Sequence, residues 1–177
     1  MPKKIDYKSS PSDEEFRQLM RKLIDEAKKE ILVVTGEAGA FKHYEDLKWA
    51  IRRAAQRGLK VKVYARTPEQ STVNKMLSYG CEVYLGDAVP KDHYTVIDRK
   101  VYIESLEHEP HKTGVRKGSA YYDSAKAKEK AREFSQYVSK ARKAKIDMTA
   151  DPLLNALKAP LYFDFEIDSD KIDSSLV

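Results

Sequence analysis

Amphipathic segments and short apolar runs alternate three times in the first half of the chain. The segments place apolar residues at helical spacing, and the runs have the length of strands. The predicted helices span residues 12–30, 41–58 and 67–80, and the predicted strands span residues 30–36, 59–66 and 81–86. Because strands joined by covering helices pack side by side in one direction, this alternation predicts an α/β fold with a parallel core.

The ends of the predicted helices carry residues that suit helix capping. Ser12 and Glu15 have the spacing of a capping box at the start of the first helix. Thr67 is the expected N-cap of the third helix, Gln70 closes its capping box, and Gly80 ends it. The predicted boundaries therefore rest on local hydrogen-bonding chemistry as well as on periodicity.

The alternation stops after the third strand. Residues 93–98 and 100–105 are two strand-like runs separated by little more than Arg99, which predicts an antiparallel hairpin appended to the sheet. A polar, basic loop over residues 106–118 follows, and then a long helix over residues 124–145. Together these segments predict a three-layer α/β domain in which helices flank a mixed sheet.

Composition divides the chain into three parts. Residues 1–11 are polar, carry two prolines and are expected to form a flexible arm, whereas residues 12–145 form the α/β domain. Residues 146–177 hold seven acidic and two basic residues and form an acidic tail. Within the tail, residues 161–168 alternate strictly between apolar and polar side chains, which predicts a strand. The pattern leaves open whether this strand docks on its own domain or on a partner.

Charge and cysteine content narrow the class of protein. The net charge of +5 favours an anionic partner. A single cysteine, Cys81, excludes an intramolecular disulfide and favours a reducing, cytoplasmic setting. No apolar stretch of the sequence is long enough to span a bilayer, so no membrane partner is expected. Charged residues make up 34% of the chain, a composition typical of proteins from thermophiles.

The order of these elements resembles one half of a phospholipase D-like domain. Three segments carry the resemblance: a helix, an Arg-Gly step and a strand over residues 46–66, the strand pair over 93–105, and the closing helix over 124–144. Catalysis in that superfamily depends on a His-x-Lys-x4-Asp motif. The resemblance implies that the histidine attacks phosphorus, the lysine binds phosphate oxygens and the aspartate supports the site. It also implies that two such motifs meet, often across a homodimer.

The motif is incomplete in this chain. When it is aligned on Asp98, Lys91 takes the place of the histidine and His93 takes the place of the lysine. When it is aligned on His93, Thr95 replaces the lysine and Lys100 replaces the aspartate. Covalent phosphoryl transfer needs a nucleophile and a cationic clamp together. The sequence therefore predicts a degenerate domain similar to non-catalytic archaeal phospholipase D-like domains; in an active enzyme the catalytic residues would be His93, Asp98 and Lys91.

Basic residues cluster on the predicted loop and on the last helix. The candidate nucleic-acid-binding residues are Lys112, Arg116 and Lys117 on the loop and Lys126, Lys130, Arg142 and Lys143 on the helix. Phosphate backbones attract such clusters, so the main hypothesis is a non-catalytic module that binds nucleic acid or a protein assembly. The alternatives are a homodimeric phosphodiesterase or nuclease and a ligand-sensing regulatory domain. The sequence predicts neither a metal site nor a cofactor.

Overall fold

The computed structural model describes residues 3–6, 13–38, 45–105 and 118–147. These residues form four helices, α1 (Asp13–Glu26), α2 (Glu45–Gln56), α3 (Gln70–Ser78) and α4 (Ser124–Ser139). They also form eight strands, β1 (Lys3–Asp6), β2 (Glu30–Thr35), β3 (Lys60–Ala65), β4 (Glu82–Leu85), β5 (His93–Ile97), β6 (Val101–Ser105), β7 (Gly118–Tyr122) and β8 (Arg142–Lys143). All eight strands belong to one sheet.

The sheet is mixed, and its strand order is β1-β7-β6-β5-β2-β3-β4-β8. Strands β2, β3 and β4 run parallel, as the alternation of helices and strands predicts. On one side, β5 pairs antiparallel with β2, and the antiparallel pairing continues through β6 and β7 to β1. On the other side, β8 pairs antiparallel with β4. The predicted mixed sheet is therefore confirmed.

Hydrophobic cores lie on both faces of the sheet. Along β2, Ile31 packs into the core that α1, α2 and α3 cover, whereas Leu32 and Val34 pack into the core that α4 covers. All three side chains are buried, because β2 has helices on both of its faces. Ile51 of α2 and Phe134 of α4 close the two cores from outside. This arrangement confirms the predicted three-layer α/β architecture.

The predicted hairpin is formed by β5 and β6, which pair antiparallel from His93 to Ser105. Its turn consists of Asp98 and Arg99, whose φ angles are 53° and 55°. The N–H of Lys100 donates to the carbonyl oxygen of Ile97 at 3.0 Å. Two consecutive residues with positive φ are typical of a type I′ turn, which matches the twist of the two strands that it joins.

Strands β1 and β7 lie where the sequence predicts neither a helix nor a strand. Lys3–Asp6 belongs to the segment expected to be a flexible arm, yet these four residues form β1 along β7. Gly118–Tyr122 forms β7 between β1 and β6. A short segment that contains glycine and serine shows no clear period of two, so pairing with neighbouring strands, rather than local pattern, determines its conformation.

The last helix is shorter than its periodicity predicts. It ends at Ser139, and Arg142–Lys143 forms β8 against the end of β4. The N–H of Ala144 also donates to the carbonyl oxygen of Val83 at 2.8 Å. Edge strand β4 offers unpaired backbone groups, and pairing with them outweighs the helix propensity of this lysine-rich and alanine-rich segment. Arg142 and Lys143 therefore lie at the sheet edge and not on a helix, which corrects the prediction.

The third helix begins later than its capping pattern predicts. It starts at Gln70, and Glu69 occupies the N-cap position without a capping hydrogen bond from its side chain. The predicted N-cap, Thr67, is held elsewhere, because its N–H donates to the carbonyl oxygen of Gly36 at 3.2 Å. Gln70 donates to the side chain of Asn74 at 3.1 Å and does not close a capping box. The hydrogen bond of Thr67 to the residue after β2 is thus formed in place of the predicted helix cap, and the helix begins at Gln70.

Parts of the sequence-based prediction concern residues that the structure does not describe. The predicted tail strand over residues 161–168 lies outside the described residues. The basic loop over 106–117 lies outside them as well. These two predictions stay predictions.

Two glycines adopt the left-handed backbone conformation, and replacing each with alanine tests how the turn after α3 packs against α2. Gly58 has a φ of 83° and Gly80 a φ of 88°. A Cβ atom at Gly80 would lie 2.9 Å from the Cβ of Ala55, whereas one at Gly58 would meet nothing within 4 Å. We expect Gly58→Ala to lower the free energy of unfolding by about 1 kcal/mol, and Gly80→Ala by about 2 to 3 kcal/mol because it adds a clash. Urea unfolding measures both losses, and equal losses would contradict the packing described.

Candidate functional site

The two ends of strand β5 lie at opposite edges of the sheet. We call the carboxyl edge the one at which β2, β3 and β4 end, at Thr35, Ala65 and Leu85, and the amino edge the one at which these strands begin. His93 starts β5 at the carboxyl edge, whereas Asp98 follows its last residue at the amino edge. Five residues of extended chain separate the two side chains by about 17 Å. His93 and Asp98 therefore do not share one site within a single chain.

The Asp98 carboxylate binds the backbone at the start of β2. Its Oδ1 accepts the N–H groups of Lys29 at 2.8 Å and Glu30 at 3.0 Å, and its Oδ2 accepts the N–H of Lys28 at 2.9 Å. Burial raises the pKa of this carboxyl, but the three N–H donors outweigh burial and hold the pKa below its ordinary value. The geometry gives Asp98 a structural role, in which it joins the hairpin turn to the beginning of β2.

A cavity of about 370 Å³ opens at the carboxyl edge. The charged side chains that line it are three lysines and three carboxylates: Lys91, Lys130, Lys140, Asp87, Asp92 and Glu133. The formal charges of these six groups cancel. A phosphate group in this cavity would meet as many carboxylates as cations, so the cavity offers it no net electrostatic attraction.

Lys130 is the partly buried cation of this cavity. Its ammonium donates to Asp92 Oδ2 at 3.2 Å and to Glu133 Oε2 at 3.0 Å, and it lies 4.8 Å from the centre of the Tyr94 ring. Partial burial favours the neutral amine, but the hydrogen bonds to Glu133 and Asp92 outweigh it and raise the pKa of Lys130. Lys130 is a predicted nucleic-acid-binding residue, and in the structure two carboxylates already neutralise its charge.

Glu104 adds a further carboxyl group to this network. It lies on β6 opposite Tyr94 of β5. Burial raises the pKa of Glu104 and the charge of Asp92 raises it further, while Lys130 and Lys126 act in the opposite direction. Burial is the larger cause of this shift, and the smaller contribution of Asp92 shows that the carboxylates of this network disfavour one another.

Two of the residues that align with the superfamily motif reach the carboxyl edge. Lys91 is exposed and lines the cavity. The imidazole of His93 lies 3.4 Å from the position that a Cβ of Gly36 would take, so the ring packs against the end of β2. Thr95, two residues after His93, is buried within the sheet. The fold therefore brings Lys91 and His93 to one edge and holds Asp98 at the other.

The remaining predicted basic residues differ in how available their charges are. Lys143 donates to Glu82 at 2.8 Å, so a carboxylate already neutralises it. The Lys126 ammonium lies 5.1 Å from the centre of the Tyr121 ring, on an exposed side chain. Arg142 is exposed on β8, opposite Leu85 of β4. The loop residues predicted with them lie outside the described part of the chain: Lys112, Arg116 and Lys117.

A larger basic groove at the amino edge escapes sequence analysis. Its volume is about 710 Å³, and the cations that line it are Lys29, Lys60, Arg99, Lys100 and Lys128. They come from the turn before β2, the start of β3, the hairpin turn and helix α4. Because about 100 residues separate the first from the last, no local run of basic residues marks this groove in the sequence.

Neither a membrane span nor a metal cluster is found in the described ranges. No helix among them has the length and apolarity needed to cross a bilayer. The described histidine, cysteine, aspartate and glutamate side chains form no group of three that could hold a metal ion.

Comparisons with known proteins identify the fold. No protein-family model and no curated protein sequence matches the chain. Among solved structures, Nuc from Salmonella typhimurium, a phospholipase D family member, superposes with a TM-score of 0.64 at 13% identity, over 82% of this chain and 98% of that one. NucT from Helicobacter pylori gives a TM-score of 0.64 at 13% identity, over 81% of this chain and 99% of that one. The chain thus has the phospholipase D-like fold that its sequence resembles.

A third similar structure is TrmBL2, an archaeal chromatin protein described as having a novel mode of DNA binding. It superposes with a TM-score of 0.59 at 16% identity, over 81% of this chain and 53% of that protein. At these identities the likeness shows a common fold and does not transfer an activity.

Replacing Asp98 tests its structural role. We expect Asp98→Asn to lower the free energy of unfolding at neutral pH by about 1 to 2 kcal/mol, a value that allows for solvent screening of its charge-assisted bonds. Because the native pKa lies below the unfolded one, the stabilisation is present above about pH 4 and is lost as the pH falls further. The variant should therefore lose less stability than the wild-type protein below about pH 4.

The matched control is Asp87→Asn, which removes an exposed aspartate at the carboxyl edge. Urea unfolding at several pH values compares the two variants with the wild-type protein. Equal stability losses in both variants, or an unchanged acid dependence in Asp98→Asn, would contradict the assigned role.

Proposed function

We propose that this chain is a phospholipase D-like module that binds the phosphate backbone of nucleic acid and performs no phosphoryl transfer. The interface is formed by the exposed cations Lys126 of α4 and Arg142 of β8, together with the loop cations Lys112, Arg116 and Lys117. Binding of this kind is electrostatic and independent of base sequence.

The observation that carries the proposal is the separation of neutralised from available positive charge. At the carboxyl edge, Lys130 is bound by Asp92 and Glu133, and the charges that line the cavity cancel. The exposed side chains of Lys126 and Arg142, by contrast, have no ion-pair partner among the described residues. A polyanion gains most by approaching cations that need not first break an ion pair.

The carboxyl edge supports phosphoryl transfer poorly. A nucleophilic histidine needs a cation that holds the phosphate oxygens while negative charge develops. Thr95 stands where the clamp lysine would follow His93, and it is buried. Lys130 would have to leave two carboxylates before it could serve instead. Each of these features opposes a phosphodiesterase.

Similar structures support the proposal at the level of the fold. TrmBL2 is described as a chromatin protein that binds DNA, so this fold occurs in a DNA-binding protein. Nuc is described as a phospholipase D family member, which makes an enzyme the main rival hypothesis. The lone cysteine suits a reducing compartment, and we propose that the module acts in the cytoplasm as a homodimer with a regulatory role.

Binding to a short fluorescein-labelled DNA duplex tests the function. We expect fluorescence anisotropy to detect binding at about 50 mM salt, with an affinity that falls steeply towards about 200 mM. The plot of log affinity against log salt has a negative slope. Replacing Lys126 and Arg142 with glutamine should reduce the magnitude of that slope by about 2, one for each lost phosphate contact. The matched control replaces Lys22 of α1 and Lys75 of α3 with glutamine. It removes the same charge from helices on the other face of the sheet.

Two results would contradict the proposal. One is the absence of DNA binding by the wild-type protein at low salt. The other is cleavage of bis-p-nitrophenyl phosphate or of plasmid DNA that disappears in His93→Ala. That second result would identify an enzyme and return Lys91 and His93 to catalytic roles.

A further inference from the structure

We propose that the groove at the amino edge, lined by Lys29, Lys60, Lys100 and Lys128, is a second contact surface for a phosphodiester backbone. This inference rests on the proposed function, because it assigns the polyanion a path that continues from α4 onto the sheet edge. The surface lies at the opposite edge from the cavity that Lys91 lines.

Both carboxylates that line the groove are already engaged. Glu30 accepts a hydrogen bond from Arg99, and the Asp98 carboxylate accepts three backbone N–H groups. The five cations against these two carboxylates leave a formal charge of +3 in the groove. The Glu30–Arg99 pair and the Asp98 clamp satisfy the anions, so the charge of the lysines remains available for a ligand.

The four lysines are exposed, and their ammonium groups have no ion-pair partner in the described part of the chain. This distinguishes them from Lys130 and Lys143, which are bound by carboxylates. An anion that reaches the groove therefore breaks no ion pair of these four lysines, and it shares the charge of Lys100 with the nearby Asp98 carboxylate. Release of counterions from the polyanion then supplies the free energy of binding.

The topology sets the lysines in a row. Lys100 precedes β6, Lys29 precedes β2 and Lys60 begins β3, and these strands belong to the consecutive series β6-β5-β2-β3. Three strand spacings give the row a length of about 14 Å. That length matches the axial rise of about four nucleotides along one strand of a duplex. Cations spread along a line suit a polymer of phosphates better than one compact phosphate group.

The chemistry of the lining indicates contact with the backbone and not with bases. The residues that line the groove are charged, apart from Ser124, and none is aromatic. Base stacking needs aromatic faces, and readout of base edges needs side chains held at defined geometry. Flexible lysines act as point charges, so we infer binding that does not depend on sequence.

Helix α4 connects the two contact surfaces. Its first residue, Ser124, and Lys128 lie one turn apart on the same side of the helix and line the groove. Lys126 lies on the side of α4 that also carries Lys130. A backbone that follows the amino edge can thus reach α4 through Lys128.

The test is a triple variant that leaves α4 intact: Lys29→Gln, Lys60→Gln and Lys100→Gln. Fluorescence anisotropy with a labelled duplex gives the slope of log affinity against log salt between about 50 and 200 mM salt. The magnitude of this slope should be smaller by about 3 in the variant than in the wild-type protein. The matched control is Lys22→Gln, Lys75→Gln and Lys91→Gln, which removes the same charge elsewhere. Its slope should equal that of the wild-type protein. All six positions are exposed, so the urea midpoints of both variants should match the wild-type value.

The outcomes separate this inference from the proposed function. Wild-type affinity in the groove variant, together with loss of binding on replacement of Lys126 and Arg142, would overturn the groove and leave the function in place. No binding by the wild-type protein would overturn both. Polyglutamate that competes as well as DNA at equal charge concentration would assign the groove to an acidic protein surface and overturn the nucleic-acid assignment.

Discussion

The hydrogen bonds of the Asp98 carboxylate to three successive backbone N–H groups fix the relation between the hairpin and the parallel core. Asp98 and Arg99 adopt positive φ angles to make the turn, and the carboxylate then fastens that turn to the residues that begin β2. Strand β5 is thereby held antiparallel to β2. As a consequence, His93 lies at the edge where the parallel strands end. An active site built around His93 could not include Asp98 of the same chain.

The position of α4 across the sheet places an ion-paired lysine at one edge and exposed lysines at the other. Helix α4 is about 24 Å long and touches a cavity at each of its ends. At the carboxyl edge its Lys130 is partly buried, and two carboxylates compensate the desolvation of the ammonium group. At the amino edge the carboxylates are satisfied by Arg99 and by the backbone, and the lysines stay exposed. The amino-edge groove is therefore remote from the edge at which Lys91 and His93 lie.

Sequence patterns predict the parts of the fold that depend on local periodicity. The parallel core and the hairpin follow from periods that are visible within a few residues. Strands β1, β7 and β8 do not, because long-range pairing determines them, and Arg142–Lys143 leaves its predicted helix for the edge of β4. The same limit applies to the site. The sequence does not show that Lys130 is paired, because its partner Asp92 lies 38 residues away in the chain. It does not show the amino-edge groove either, because the lysines of that groove come from separate segments.

Mass-spectrometric footprinting of lysines tests most directly whether nucleic acid lies on the uncompensated cations. The protein is acetylated alone and in complex with a DNA duplex, and the modification of each lysine is compared. We predict protection of Lys29, Lys60, Lys100 and Lys126, with Lys91 in the carboxyl-edge cavity modified to the same extent in both samples. Protection of Lys91, with Lys29 and Lys60 unchanged, would place the ligand over that cavity and contradict the proposed path.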